Sequence, residues 1–172
     1  MKIGPLDYKV TEAPPDLSEV VAKHPFLAGM TPAHLQILTE AAMLKDFKQN
    51  EIIFKEGDPA NRFYLIRSGK VFLESRQEDE PEPRLLQYIG EGDALGWSWL
   101  FPPYYWHFDA RTVEPTETIF FYGTRLREQC EQDPALGYEL MRRMSQVVIQ
   151  RLQTTRKKLL ESERKQRVSV KS

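Results

Sequence analysis

The apolar positions of this chain change their period twice. Across residues 44–122 they fall in short runs about eight to twelve residues apart: Ile52-Ile53-Phe54, Phe63-Tyr64-Leu65-Ile66, Lys70-Val71-Phe72-Leu73, Leu85-Leu86-Gln87-Tyr88-Ile89 and Ile119-Phe120-Phe121-Tyr122. Between them lie Glu56-Gly57-Asp58-Pro59, Ser68-Gly69 and Gly90-Glu91-Gly92-Asp93. Short runs separated by turn residues predict an all-β sandwich or barrel. The acidic stretch at residues 77–83, QEDEPEP, reads as a solvated hairpin tip.

Helical patterns flank this region. Residues 1–16 carry Gly4, Pro5, Pro14 and Pro15 and predict an irregular arm. Asp16 caps a short helix through Ala22, and His24-Pro25 ends it, because a residue before proline avoids the α region. Thr31 and Pro32 supply the cap and first position of a second helix, with Leu35, Leu38 and Ala42 at helical spacing and an end near Met43. From Thr124 onward the pattern is helical again, and Asp133-Pro134 starts a helix of about 30 residues. Met141, Met144, Val148, Leu152, Thr155 and Leu159 recur at steps of three and four, which is the spacing of a two-helix seam. So small a β domain cannot cover the whole helix, so the seam predicts a parallel homodimer; the alternative is a helix packed on its own domain. The expected organisation is an arm and short helix over 1–23, a β domain over 24–133, and a dimerisation helix with a basic tail over 134–172.

Composition narrows the class. The 172 residues are 41% apolar and 28% charged, as in ordinary globular proteins. No apolar run approaches the roughly 20 residues that span a bilayer, and the N-terminus has no apolar signal core. Cys130 is the single cysteine, so no intramolecular disulfide can form, which fits a reducing cytosol. A cytoplasmic location without a membrane partner is expected. The net charge of −1 hides a skew: residues 151–172 hold eight basic residues against Glu161 and Glu163, an excess of six that could mark a partner site.

Three blocks carry a resemblance. Glu56-Gly57-Asp58, then Phe63-Tyr64-Leu65-Ile66-Arg67-Ser68-Gly69-Lys70-Val71, then Gly90-Glu91-Gly92-Asp93-Ala94-Leu95-Gly96 together resemble the cyclic-nucleotide-binding domain of the Crp/Fnr regulators. The resemblance covers about residues 24–160. It implies a mainly β fold with flanking helices: a double-stranded β-helix, or jelly-roll-like β-roll, of eight strands, and a long C-terminal dimerisation helix.

It also implies where a ligand would sit. In the family a glycine and a short helix present backbone N–H groups to a phosphate. A glutamate after that glycine holds the ribose, and an arginine about ten residues on neutralises the phosphate. Here the glycine is Gly96, but Trp97 follows it. Trp106 falls at the arginine position, with His107 beside it, and Arg111 comes four to five residues too late. Two lost charge-assisted bonds of about 1.5–3 kcal/mol each weaken a cyclic nucleotide ~10²–10⁴-fold. cAMP and cGMP are therefore disfavoured as ligands, and the cofactor is unknown.

What stands there instead is residues 97–108, WSWLFPPYYWHF, with all three tryptophans of the protein. Aromatic side chains bury large areas and keep a polar handle. Two readings stay open. One is a pocket rebuilt for an aromatic or apolar ligand, formed by Gly96, Trp97, Trp99 and Trp106 with Ser98, His107 and Arg111 as polar anchors. The other is aromatic filling of the old pocket, with nothing small bound. Thr155 matches the threonine that faces the base in cAMP-responsive members; it is equally a polar seam residue that sets helix register.

Other chemistry is poorly represented. His24, His34 and His107 are far apart and pair with no Cys or carboxylate at metal-ligand spacing. No nucleophile elbow, P-loop or paired-acid motif is present, and Asp109 reads as a strand-end residue, so an enzyme is not expected. Residues 160–172 are too few for the helix-turn-helix domain that follows in Crp/Fnr regulators, so specific DNA binding by this chain alone is not expected. The expected function is a regulatory sensor module that binds a non-standard small ligand or none and signals through its dimer helix. The alternatives are a ligand-free protein-interaction scaffold and a truncated Crp/Fnr regulator that takes cAMP or cGMP.

Overall fold

A computed structural model describes residues 16–76 and 81–169. The N-terminal arm (1–15) and residues 77–80 of the acidic tip lie outside the described residues. Eight strands form the roll: β1 (Met43–Phe47), β2 (Ile52–Phe54), β3 (Arg62–Ser68), β4 (Lys70–Ser75), β5 (Arg84–Gly90), β6 (Ala94–Leu95), β7 (Asp109–Thr112) and β8 (Thr116–Tyr122). They make two antiparallel four-stranded sheets, in the orders β1-β8-β3-β6 and β2-β7-β4-β5. α1 (Leu17–Lys23) and α2 (Pro32–Ala41) precede the roll; α3 (Gly123–Gln132) and α4 (Pro134–Ser169) follow it.

Alternation along the strands divides the apolar residues between two cores. In β3 and β8, Phe63 pairs with Phe121 and Leu65 with Ile119, and all four face the helices. Tyr64, Ile66 and Phe120 face the opposite way, into the roll. Leu65 and Ile119 are fully buried, each contributing roughly 1.5–3 kcal/mol from surface removed from water. The β3–β4 hairpin turns at Gly69 with φ +94°. A Cβ there would lie 2.6 Å from the Pro115 carbonyl oxygen and 2.7 Å from Thr116 Cα, so the turn requires glycine.

Two expected boundaries move. α2 ends at Ala41, not near Met43, because Ala42 turns extended (ψ 147°) and Met43 begins β1, opposite Phe120 of β8. α4 has 36 residues, more than the expected 30 or so. Asp133 Oδ1 accepts hydrogen bonds from the Ala135 and Leu136 N–H groups at its start, 3.1 and 3.2 Å away.

The faces of α4 also correct the expected seam. Leu136, Leu140 and Met144, four apart, are buried in the chain's own helix-side core. Met144 is fully covered there, so it cannot belong to a seam with a second copy. The outward stripe runs through Tyr138, Met141, Ser145, Val148, Leu152, Thr155 and Leu159, with Ser145 in the place expected of Met144. Leu152 is 67% and Leu159 60% exposed. On the inward side Arg143, Arg151 and Lys158 donate to the carbonyls of Phe26 (2.7 Å), Ala94 and Leu86 (2.9 Å), tying the helix to three separate segments. Among the described residues no helix is long and apolar enough to cross a membrane.

Candidate ligand site at the mouth of the roll

Gly96 follows β6 with φ +87° and leads into a 3₁₀ turn, Trp97–Leu100. β7 begins at Asp109. The intervening residues return across the mouth of the roll, held by three backbone hydrogen bonds: Trp106 N–H to Asp58 O (3.0 Å), Gly57 N–H to Trp106 O (2.9 Å) and Ala60 N–H to Tyr104 O (2.7 Å). These bonds aim the Trp106 indole inward. It stacks on Phe54 with centroids 3.9 Å apart and planes at 11°. The far edge of the same ring lies over Gly96, where a Cβ would come within 2.8 Å of it.

The predicted site residues do not all meet. Gly96 and Trp106 do. Trp97 is half-buried and stacks on exposed His107 (5.4 Å, 21°). Ser98 is buried, and its hydroxyl has no partner among the described residues. Trp99 points to the helix side of the sheet, fully buried against Phe63, and is a core residue rather than part of the mouth. Arg111 is directed away from the roll interior. Its neighbour Ala110 faces inward, so alternation turns Arg111 outward, onto the Phe72 ring (5.4 Å) and into an ion pair with the buried Glu74 carboxylate. That pairing holds the guanidinium even more firmly protonated than usual. Thr155 is exposed on the outward stripe of α4. Asp109 opens β7, where its buried carboxylate accepts from Glu56 N–H at 2.7 Å.

The structure brings other residues to the mouth. Arg62 begins β3 on the same face as Tyr64, and its guanidinium lies 5.4 Å from the Phe120 ring centroid and 5.8 Å from that of Tyr122. The Tyr64 hydroxyl beside it raises its pKa above the ordinary arginine value. Burial in turn pushes the Tyr64 phenol up. A cavity of about 290 Å³ opens here, lined by Ile53, Phe54, Asp58, Asn61, Arg62, Tyr64 and Trp106 with Pro59. Arg62 stands one residue before the apolar run Phe63–Ile66. Its shared parity with Tyr64 was the available signal.

Residues 44–133, just over half of the chain, match the family described as cyclic nucleotide-binding domain. The chain belongs to that family. Among curated proteins it is 29% identical over 143 residues to the CRP-like cAMP-activated global transcriptional regulator of Mycobacterium tuberculosis. The match covers 83% of this chain and 62% of that protein, so the chain spans less than two thirds of this relative's length. Among solved structures, a cyclic nucleotide-binding protein from Geobacter metallireducens superposes with a TM-score of 0.68 at 29% identity, covering 78% of this chain and 95% of that one. A cyclic nucleotide-binding domain from Methylobacillus flagellatus gives a TM-score of 0.72 at 17% identity, with coverage of 85% and 82%, a likeness of fold. The expected β-roll and the Crp-like resemblance are both borne out.

Proposed function

We propose that this chain is a regulatory module of the cyclic-nucleotide-binding fold that does not take a cyclic nucleotide in the family's manner and that acts as a homodimer through α4. The observation that carries this reading is the position of Trp106. Its ring covers Gly96, where the phosphate would approach the backbone, and its stack on Phe54 gives that ring a place in the core. Neither Trp97 nor Trp106 can supply the carboxylate or guanidinium the family uses, and Arg111 is committed to Glu74.

The dimer reading rests on the outward stripe of α4, whose apolar members recur at coiled-coil spacing while the opposite face is tied to the roll. Arg151 connects the two, because it reaches from α4 to the Ala94 carbonyl two residues before Gly96. A change at the mouth would thus bear directly on the dimer helix.

The test restores both missing groups. Calorimetric titration with cAMP is expected to give no saturable heat with the wild-type chain. The Trp97→Glu/Trp106→Arg double variant, confirmed folded by its melting curve, should bind at least about ten-fold more tightly. Micromolar binding by the wild type would refute the reading.

A further inference from the structure

A cavity of about 490 Å³ lies between α1 and α2. Ligand pockets run from about 300 to 1,000 Å³. Its apolar lining is Ala22, Pro32 and Leu35. Ala22 and Pro32 are exposed, while Leu35 is half-buried and backs onto the helix-side core. The polar side chains of the lining are engaged by partners on their own helix or its cap. The Ser18 hydroxyl donates to Asp16 Oδ1 (2.8 Å), and Glu19 accepts from Lys23 (2.5 Å). Gln36 donates to Glu40 (3.3 Å), and the Thr39 hydroxyl donates to the Leu35 carbonyl (2.8 Å). The groove therefore offers little to a polar ligand and suits apolar side chains that seek cover from water.

The chain itself carries such side chains beside the groove. Asp16 caps α1, so the preceding residues join the fold within one turn of Ser18 and Glu19 in the lining. In residues 6–10, Leu6, Tyr8 and Val10 alternate with Asp7 and Lys9. An extended segment of that pattern puts its three apolar side chains on one face and both charges on the other. Leu6 to Val10 would span ~13 Å when extended, and Pro32 to Glu40 along α2 spans ~12 Å. Val10 stands six residues before Asp16, a reach of up to ~20 Å. A tether this short gives the segment a roughly millimolar effective concentration at the groove, which a separate partner would have to match. We propose that residues 6–10 of the same chain dock extended in the α1–α2 groove, with Leu6, Tyr8 and Val10 against Ala22, Pro32 and Leu35, and with Asp7 and Lys9 toward solvent. The groove is then a self-docking surface, closed to other apolar segments while its own arm fills it. This inference is independent of the nucleotide reading above.

Nuclear Overhauser spectra of the full chain test the contact directly and need no variant. Cross-peaks should join the Tyr8 ring protons to the Ala22 and Leu35 methyl groups; their absence would overturn the inference. The Leu6→Asp/Tyr8→Asp/Val10→Asp variant should lose those contacts and speed amide hydrogen exchange across residues 17–23 several-fold. Asp7→Ser/Lys9→Ser, on the other face of the alternation, should leave exchange unchanged. Unchanged exchange in the triple variant, or equal acceleration in the two variants, would refute docking by the apolar face. Ala22→Asp, a change at an exposed position of the groove, should remove the Tyr8–Leu35 cross-peak. Persistence of that cross-peak would place Tyr8 elsewhere and sink the proposed pose. A mixture of isotope-labelled and unlabelled chains separates the source of the segment. Contacts seen within one copy support the inference, whereas contacts seen only between copies would overturn docking by the chain's own arm and assign the groove to a second copy.

Discussion

At Gly96 the backbone takes a positive φ, and a methyl group there would strike the Trp106 ring, so the two residues are fitted to each other. Truncating Trp106 to Ala removes the stack on Phe54 and opens a cavity; the expected loss is about 3–5 kcal/mol, read from denaturant midpoints. Arg111→Ala leaves the buried Glu74 carboxylate alone and should cost more than Glu74→Gln, by about 1–2 kcal/mol. His24 is buried, with Nδ1 accepting from Phe26 N–H (3.2 Å) and Nε2 donating to Ile66 O (2.9 Å), so it is neutral in the fold. Burial lowers its pKa. A depressed folded pKa means stability that is present above the unfolded value of about 6.5 and lost as pH falls through the folded value. The stability advantage of wild type over His24→Gln should therefore shrink between about pH 7 and pH 5, and an unchanged difference would remove His24 from the account.

Much of this was legible in single residues, and the misses have physical causes. Gly96, Trp97 and Trp106 are picked out in the sequence by the resemblance, whose three blocks in order set them against the family's glycine, glutamate and arginine positions. Arg62 was not, because a charged residue at the edge of an apolar run looks like a solvated strand end. Only the pairing Arg62↔Tyr122 fixes it at the mouth. Arg111 was ambiguous until its neighbour Ala110 was known to face inward.

At the scale of elements, the long turn-bounded strands were readable from their pattern. β1 is not among the apolar runs, because Lys45 and Asp46 interrupt it, and only its first residue, Met43, falls at the expected helix end. β6, with two residues, offers no period to read. α4 was placed correctly, but a three-four step pattern does not tell the inward face from the outward one. Met144 and Ser145 are one residue apart and lie on opposite sides of that decision. Arg151 is the cation most deeply engaged along the inward face; burial lowers its pKa to about 10, so it stays charged at neutral pH. Arg151→Ala should free the Ala94 carbonyl and speed amide hydrogen exchange in residues 147–155 several-fold, without melting the roll. Unaltered exchange there would mean that α4 is held by its apolar contacts alone.

For the whole molecule, a self-association seam and a core make opposite predictions for substitutions about two turns apart on α4. Leu152→Asp should yield a folded monomer in sedimentation velocity, because it puts a charge in the outward stripe. Met144→Asp should instead unfold the chain, because that side chain is wholly inside. A Leu152→Asp protein that remains a dimer would move the interface elsewhere. The central claim, that the roll's own tryptophan occupies the nucleotide position, is tested most directly by the melting temperature of the wild-type chain with and without about 1 mM cAMP. The account predicts a change under about 1 °C. A ligand present at 1,000 times its Kd would stabilise the fold by about 4 kcal/mol, so a rise of several degrees would contradict it.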